Sequence, residues 1–444
     1  MKRFRIEKSG RDIVTSHSGL ALAGLCVNRH TDLPARANEV APCAGISTAD
    51  VLRSCVGLMT LGQSDFEAVT GKRHDAYFRR ALGITQVPSA ETLRQRCDEH
   101  AEALRVVVAD ATTELVRRAK APVTGLSSGH VPLDCDVTPF DNSKTRKEGV
   151  SRTYHGYDGY APIGAYLGLE GWCLELELRP GSQHSQKEFL PFLRRVLYRA
   201  RRLVGPDRKL LVRLDSAHDA QQTRVELSDA EATDWILKWN PRKQDVEAWW
   251  QRAEKDKVVT SDPKKPGRRT ALLEERIACE HEGRSYAFRR IVRVVERTMD
   301  RKGQPLLLPE REIEGWWTSL DLPAAKVIAL YADHATAEQF HGELKTDLDI
   351  ERLPSGKFAT NALMLALAGL AYNILRLIGQ IGLLGEWAPV RHPAKRRRLK
   401  TVMQELMYLA ARVLRTGHRL VLRFARHCPG FAAFDLVYGR LATG

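Results

Sequence analysis

The sequence predicts an α/β protein built on a mixed β-sheet, and three observations lead to this prediction. Alternating apolar and polar residues predict three successive strands between Val131 and Leu178. A helix, an apolar strand, a second helix and a fifth strand follow as far as Trp239. Helical patterns dominate before and after this part of the chain. The expected fold is therefore a mixed sheet flanked by helical N- and C-terminal regions.

The charge balance favours a polyanionic partner. The 444 residues include 69 Lys and Arg against 54 Asp and Glu, a formal net charge of +15. A surplus of this size suits nucleic acid, although net charge alone does not establish binding. The length is enough for several domains with at least one sizeable core.

Cysteine usage and hydropathy favour the cytoplasm. The eight cysteines are scattered and form no C-x-x-C pair, so neither a zinc site nor a disulfide framework is indicated. The N-terminus lacks the apolar core of a signal peptide, and no run reaches the roughly 20 apolar residues of a membrane span. The nearest candidate, Ala362 to Tyr372, is interrupted soon afterwards by polar residues and is interpreted as a buried core helix. We expect a cytoplasmic protein without a membrane partner.

Residues 1–125 are predicted to form a helical region that binds DNA ends. Ser89 follows Pro88 and is a candidate N-cap for a helix that carries Arg94 and Arg96. Basic residues on short helices can contact phosphate, and they are also common on solvated faces.

Residues 126–240 are predicted to form the first part of a catalytic core. On the first strand, Asp134 and Asp136 share one face. The loop that follows carries Lys144, Arg146 and Lys147, which either contact backbone phosphate or are simply solvated. The order of three strands, helix, strand, helix, strand matches the ribonuclease-H-like sheet by fold analogy.

Three further regions complete the predicted organisation. Residues 241–315 are expected to form a β-rich insertion with basic loops, and residues 316–385 return the chain to the catalytic core. Residues 386–444 are predicted to be a basic helical C-terminal region.

The stretch from Tyr331 to Lys345 carries a polar stripe if it is one helix. At about 100° per residue, Tyr331, His334, Glu338 and Lys345 share a narrow face beside an apolar one. Such a stripe could present a metal ligand, or it could be an ordinary surface with a helix ion pair.

Three acidic residues stand out as candidate catalytic and metal-binding groups. Asp136 lies late on the first strand, Asp215 ends the fourth strand, and Glu338 lies on the stripe. Strand ends converge in an open α/β sheet, so distant carboxylates can build one site for two Mg²⁺ ions. Glu343 competes with Glu338 but lies about 140° around the helix. Asp134 competes with Asp136, and geometry leaves that choice open.

These residues resemble the DDE transposases of bacterial insertion sequences, specifically the insertion sequence thirteen-eighty group. The resemblance rests on Leu133-Asp-Cys-Asp-Val-Thr, on Val212-Arg-Leu-Asp-Ser-Ala-His and on Tyr331-x2-His334-x3-Glu338-x6-Lys345. The last has the spacing of the Tyr-Arg-Glu-Lys signature and is followed by Arg352-Leu-Pro-Ser. The resemblance covers nearly the whole chain and is strongest from Leu133 to Arg376.

The resemblance implies roles for the motif residues. Asp136, Asp215 and Glu338 would form the metal-binding triad for two Mg²⁺ ions, for which Mn²⁺ could substitute. The family's first aspartate commonly stands two residues before a Thr, which favours Asp136. Tyr331, His334 and Lys345 would contact DNA. His334 stands where the family usually has Arg, and a weaker, pH-dependent contact predicts a slower enzyme.

The resemblance also implies that the β-rich insertion helps to hold the element end. An aromatic residue there could stack on an unpaired base. Trp316 and Trp317 are candidates for that role, but core packing in a strand is the favoured interpretation.

The predicted function is Mg²⁺-dependent cleavage and strand transfer of double-stranded DNA by a transposase that binds terminal inverted repeats. A homodimer in the DNA complex follows by analogy, as does a nucleoid-associated bacterial location. Two alternatives stay open: an inactive transposase-derived DNA-binding protein, indicated only by His334, and a ribonuclease-H-like nuclease without strand transfer.

Overall fold

The computed structural model describes residues 3–263, 265–300, 302–333, 336–389, 392, 394–417 and 419–443. The α-helices are α1 Leu20–Arg29, α2 Leu33–Val40, α3 Thr48–Met59, α4 Ala76–Leu82, α5 Ala90–Arg118, α6 Phe189–Val204, α7 Gln221–Asp229, α8 Val246–Lys255, α9 Ala324–Ala332, α10 Thr336–Gly342, α11 Phe358–Gly382, α12 Leu399–Val402 and α13 Phe431–Thr443. The strands are β1 Ile13–Thr15, β2 Val131–Val137, β3 Phe140–Asp141, β4 Ser151–Arg152, β5 Asp158–Tyr160, β6 Ile163–Leu167, β7 Trp172–Glu177, β8 Leu210–Leu214, β9 Thr233–Trp239, β10 Val259–Ser261, β11 Arg268–His281, β12 Arg284–Met299, β13 Pro305–Thr318, β14 Ala411–Thr416 and β15 Arg419–Phe424.

The chain packs into two compact units. The helical unit contains Met1–Val123, Val137–Gln183 and Glu338–Gly444, and the sheet unit contains Thr124–Asp136 and His184–Ala337. Each unit is thus assembled from segments that are distant in sequence. The five regions predicted from the sequence have boundaries that differ from those of these two units. The division of the chain into five domains stays a prediction.

Strands of the sheet unit form a mixed sheet in the order β10-β11-β12-β13-β9-β8-β2. The neighbours β2, β8 and β9 are parallel, and the remaining pairs are antiparallel. The predicted α/β class with a large mixed sheet is therefore confirmed, and the strands predicted around residues 131–138, 209–214 and 234–239 are all present.

The core of the sheet unit lies between the sheet and α9. Leu211, Ile236, Ile291 and Trp316 from four neighbouring strands pack with Val327 of α9, and all five are buried. Burial of this apolar area drives the packing, at roughly 25 cal/mol per Å². Trp317 is buried as well, so the core-packing interpretation of both tryptophans is the one that the structure supports.

The β-rich insertion begins with α8 and continues through β10 to β13. Its long strands carry cross-strand Arg–Glu pairs such as Arg290–Glu275 and Arg293–Glu314. Opposite charges on facing positions stabilise strand pairing and specify its register. The predicted turn at Gly303, which has a φ of +82°, separates β12 from β13.

The helical unit is organised around α11. This helix packs along α5 and is long and apolar enough to cross a membrane by length and composition, but 94% of its most apolar window is buried inside the protein. The interpretation of Ala362 to Tyr372 as a core helix is confirmed. The antiparallel hairpin of β6 and β7 also lies in this unit.

Helical terminal regions are present as predicted, together with a small sheet that the sequence did not indicate. Strand β14 pairs with both β1 and β15. Strands β14 and β15 each carry two arginines among apolar residues, and this basic content favoured a solvated helix in the sequence-based prediction.

We expect Trp316→Ala to lower the free energy of unfolding by about 3–5 kcal/mol, because it leaves a cavity in the core of the sheet unit. Urea unfolding followed by circular dichroism measures the loss. Trp387, which is 55% exposed, supplies the matched control, since Trp387→Ala should change stability by no more than about 0.5 kcal/mol. Equal losses in the two variants would contradict the assigned core.

Candidate active site

Asp136 and Asp215 occupy equivalent positions at the ends of two neighbouring parallel strands. The register of β2 and β8 pairs Asp134 with Arg213 and Cys135 with Leu214, so Asp136 and Asp215 are the next residues on each chain. Registered residues of parallel strands point to the same face, and neighbouring strands lie about 4.8 Å apart. The Asp136 side chain is half-buried and that of Asp215 is 41% exposed. The sheet therefore presents two solvent-accessible carboxylates at one edge.

Asp134 is occupied by a buried ion pair. Its two carboxylate oxygens each accept a hydrogen bond of 2.7 Å from the Arg213 guanidinium, and both side chains are almost fully buried. A bidentate pair of this kind leaves the carboxylate neutralised and enclosed. Asp134 therefore has a structural role, and Asp136 as the first metal ligand stays a prediction.

Arg213 also holds the helix that carries Tyr331. Its Nη1 donates a 2.8 Å hydrogen bond to the carbonyl of Leu330, in the last turn of α9. Carbonyls at a helix C-terminus lack partners within the helix and favour a cation. The same guanidinium therefore connects β8, β2 and the end of α9.

Tyr331 lies half-buried in the electrostatic field of the aspartates. Burial raises the pKa of its phenol well above the ordinary value, and the negative charges of Asp215, Asp136 and Asp134 raise it further. Its ring packs edge-on to Trp316, with 6.2 Å between ring centroids. The phenol consequently keeps its proton at neutral pH and can serve as a hydrogen-bond donor.

The turn after Asp215 is packed rather than solvated. Asp215 begins the 3₁₀ helix Ser216–His218, and within the described chain its side chain makes no capping hydrogen bond. His218 is fully buried, stacks on Phe189 at 4.0 Å and places Nε2 3.7 Å from Asp215 Oδ1. Asp219 accepts hydrogen bonds from Arg224 and from the backbone of Asn240. These contacts fix the direction in which Asp215 leaves the strand.

The stretch from Tyr331 to Lys345 is not one regular helix, as the sequence-based stripe assumed. Helix α9 ends at Ala332, α10 covers Thr336–Gly342, and a π-helical turn follows over Glu343–Asp347. A π turn advances by less than 100° per residue, so Lys345 does not keep the angular position extrapolated from Tyr331. His334 lies outside the described residues.

Glu338 and Glu343 differ in their surroundings within the helical unit. Glu338 is exposed in the first turn of α10. Glu343 is buried, pairs with Arg376 at 2.8 Å and accepts a hydrogen bond from the backbone of Leu399. Burial raises the pKa of Glu343, and the charge of Arg376 opposes that shift. Glu343 therefore has structural partners, and the choice of the exposed Glu338 as a metal ligand stays a prediction.

The predicted DNA-contacting cations also separate into two groups. Lys345 donates to the carbonyl of Pro139 and lies 5.6 Å from the centroid of the Phe140 ring. Lys147 donates to the carbonyl of Leu353 and to Asn142, so it holds its own loop together instead of facing solvent. Lys144 and Arg146 are exposed, and these two remain open to phosphate.

Comparison with known protein families identifies the family of this chain. The family model described as transposase DDE domain group 1 matches residues 2–443. The chain belongs to this family of DDE transposases. As a DDE transposase it is a DNA-cleaving and DNA-transferring enzyme. Its narrower placement in the insertion sequence thirteen-eighty group stays a prediction.

A solved structure gives a more distant likeness. The piggyBac transposase synaptic complex with hairpin DNA matches at 9% sequence identity and a TM-score of 0.43, over 90% of this chain and 82% of that chain. No curated protein matches the transposase.

The donor set of the transposase fits Mg²⁺. Asp136 and Asp215 offer hard carboxylate oxygens at adjacent strand ends, while Asp134 is already neutralised by Arg213. Within the described ranges, no group of three or more His, Cys, Asp or Glu residues is arranged to hold a metal ion. The two aspartates are thus the part of the predicted triad that the sheet unit assembles, and Glu338 as the third ligand stays a prediction.

Arg213 is the functional residue that the sequence analysis missed. A single arginine within the apolar strand Leu210–Leu214 is a signal in itself, because a buried cation needs a buried anionic partner. The facing strand offers Asp134 at the paired position. An arginine and an aspartate at paired positions of two apolar strands predict a buried ion pair, and hence a structural role for Asp134.

We expect Asp134→Asn to destabilise the transposase by about 3–5 kcal/mol, because it leaves the Arg213 charge buried without its anion. The same substitution two residues along, Asp136→Asn, removes a carboxylate that faces solvent and should cost no more than about 1 kcal/mol. Urea unfolding of the two variants checks this difference, and a larger loss for Asp136→Asn would reverse the assignment.

In the presence of EDTA, Asp215→Asn should lower the pKa of Tyr331 towards the ordinary tyrosine value, since one of the charges that disfavour the phenolate is removed. Carbon NMR of labelled tyrosine, assigned with Tyr331→Phe, measures the shift, and Asp207→Asn on an exposed loop is the control. The raised pKa favours folding below pH about 10, and this contribution is lost as pH rises through the folded-state value. If the pKa of Tyr331 were the same in Asp215→Asn as in the wild type, the charge of Asp215 would not act on the phenol.

Proposed function

We propose that the transposase binds the terminal inverted repeats of its own insertion sequence, cleaves phosphodiester bonds with Mg²⁺, and joins the freed 3′-hydroxyls to target DNA. The observation that carries this proposal is the register of β2 and β8, in which Asp136 follows Cys135 and Asp215 follows the facing Leu214, and the charges of both aspartates raise the pKa of the Tyr331 phenol. Mn²⁺ is expected to replace Mg²⁺, because both accept oxygen ligands.

Double-stranded DNA is the proposed partner, both as element end and as target. The net charge of +15 favours a phosphate backbone, and the exposed Lys144 and Arg146 are available to contact it. Bringing two element ends together requires two active sites, so we propose a homodimer in the DNA complex, acting in the bacterial cytoplasm at the nucleoid.

The chain's own residues have separate tasks in this proposal. Asp136, Asp215 and Glu338 would hold the metal ions. When bound, Mg²⁺ lowers the pKa of the attacking water or hydroxyl and neutralises charge on the leaving oxygen. Tyr331 keeps its proton and can donate a hydrogen bond to a phosphate oxygen near the cleaved bond. Arg213 positions both the strand of Asp215 and the helix of Tyr331.

Cleavage and joining can share one site because both are in-line phosphoryl transfers. In the first, water attacks the phosphorus and the 3′-oxygen leaves. In the second, the freed 3′-hydroxyl attacks a target phosphodiester, the target's own 3′-oxygen leaves as a hydroxyl, and the element strand becomes joined to the target 5′-phosphate. Neither step requires a nucleophilic side chain from the protein, so a site made of carboxylates and hydrogen-bond donors is sufficient.

We expect Asp136→Asn, Asp215→Asn and Glu338→Gln each to reduce cleavage and joining more than about 100-fold, because each removes a proposed metal ligand. The assay combines labelled element ends, a target plasmid and Mg²⁺. Manganese binding followed by electron paramagnetic resonance gives a readout independent of catalysis and should weaken in the same variants. Glu102→Gln, an exposed glutamate on α5, is the matched control.

The outcomes of this assay separate the alternatives. Cleavage and joining that disappear in the three variants support the transposase, while cleavage without joining by the wild type indicates a nuclease. Binding without either reaction indicates an inactive derivative. Full activity in Glu338→Gln combined with its loss in a folded Glu343→Gln would overturn the choice of Glu338.

A further inference from the structure

The antiparallel ribbon of β14 and β15 carries four exposed arginines. Arg412 and Arg415 lie on β14, and Arg419 and Arg423 lie on β15. Neither strand contains an acidic residue. Arg412 pairs with Asp12. The other three arginines have no ion-pair partner within the described part of the chain. The ribbon therefore concentrates positive charge that the protein itself does not neutralise.

Three of these arginines share one face of the ribbon. Arg412 directly faces Arg423 in the register of the two strands, and Arg419 lies four residues from Arg423 on the same strand. Side chains at facing positions and at every second residue of a strand point to the same side. Like charges at facing positions weaken strand pairing, so the placement of Arg412 opposite Arg423 opposes folding instead of assisting it.

The long strands of the insertion show how this chain places arginines that stabilise a sheet. There Arg290 faces Glu275 and Arg293 faces Glu314. In each pair the guanidinium donates a 2.7 Å hydrogen bond to the carboxylate. Arginine is thus matched to a glutamate across one ribbon and to another arginine across the other. This contrast indicates that the anion for the ribbon of β14 and β15 comes from outside the chain.

Protection of a sheet edge does not account for all of this charge. Charged side chains on an edge strand discourage pairing with a second chain, and β15 is an edge of the sheet β1-β14-β15. Strand β14 lies between the other two strands, so Arg412 protects no edge. A role in solubility alone would also not require two arginines at facing positions.

The ribbon is held in place by packing on the side opposite to the three arginines. Phe424 at the end of β15 packs against Phe431 and Phe434, with ring centroids 5.5 and 4.9 Å apart, and β14 also pairs with β1. Arg419 and Arg423 are separated by about 13 Å along the strand, at about 3.3 Å per residue. This distance spans about four nucleotides of one DNA strand, at about 3.4 Å each.

We propose that this face of the ribbon binds the phosphate backbone of double-stranded DNA, with Arg419 and Arg423 as direct contacts. This inference rests on the proposed function, in which double-stranded DNA is the partner. A guanidinium donates two parallel hydrogen bonds to one phosphate, and each such contact releases condensed counterions. Every duplex presents the same phosphates, so the ribbon adds affinity for element end and target without reading either sequence.

The salt dependence of DNA binding tests the ribbon. Fluorescence anisotropy measures the Kd in EDTA for an element-end duplex and for an unrelated duplex of equal length, between about 50 and 200 mM salt. Arg419→Gln combined with Arg423→Gln should weaken binding of both duplexes about 30-fold at about 150 mM salt. The slope of log affinity against log salt should become shallower by about 2, because two phosphate contacts are lost.

Arg194→Gln is the matched control for Arg423→Gln alone. Arg194 is 62% exposed on α6 and is neutralised by Glu226, through hydrogen bonds of 2.8 and 2.6 Å. Both substitutions remove one positive charge, but only Arg423→Gln should reduce the salt slope, by about 1. Urea unfolding should place the midpoint of Arg423→Gln at or above that of the wild type, because the repulsion from Arg412 is relieved.

The remaining outcomes overturn either the ribbon or the proposed function. Unchanged affinity and slope in the double variant would overturn the ribbon, as would a loss confined to the element end, which would indicate base reading. Lost binding together with a lower urea midpoint would make the arginines structural, and self-association with unchanged affinity would assign them to edge protection. If the wild type failed to cleave element ends while the double variant still lost affinity for the unrelated duplex, the proposed function alone would be wrong.

Discussion

The buried ion pair between Asp134 and Arg213 is the interaction on which the candidate site depends. It connects β2 to β8, and through the carbonyl of Leu330 it connects both strands to α9. Because either charge would be costly to bury alone, the pair permits only one register of the two strands. That register brings Asp136 level with Asp215, so a structural ion pair determines the relative position of the two candidate carboxylates.

Burial separates the structural acids of this transposase from the candidate catalytic ones. Asp134, Asp219 and Glu343 are buried, and each accepts hydrogen bonds from an arginine or from the backbone. Asp136 is half-buried and Asp215 is 41% exposed in the sheet unit, and Glu338 is exposed on α10 of the helical unit. A metal ligand must exchange water for an ion, whereas a structural carboxylate is stable only when its partners are fixed.

Several elements converge on the short segment after Asp136. The hydroxyls of two tyrosines and the ammonium of Lys345 all donate to carbonyls between Val137 and Pro139. Backbone carbonyls that leave the ladder of a sheet need such donors. Tyr154, Tyr157 and Lys345 supply these donors, so side chains from two other parts of the helical unit hold the segment after Asp136.

The sequence by itself determined the α/β class, the order of the main strands and helices, and the acidic residues from which a site could be built. These depend on local periodicity and on motif spacing, which a single chain displays directly. Tertiary structure enclosed Asp134 with Arg213, bound Lys147 to the carbonyl of Leu353, introduced the π-helical turn that contains Lys345 and anchored Tyr154 to Val137. Each of these depends on a partner distant in sequence or on burial, as with Arg213 and Asp134, which are 79 residues apart, and local patterns carry no record of such contacts.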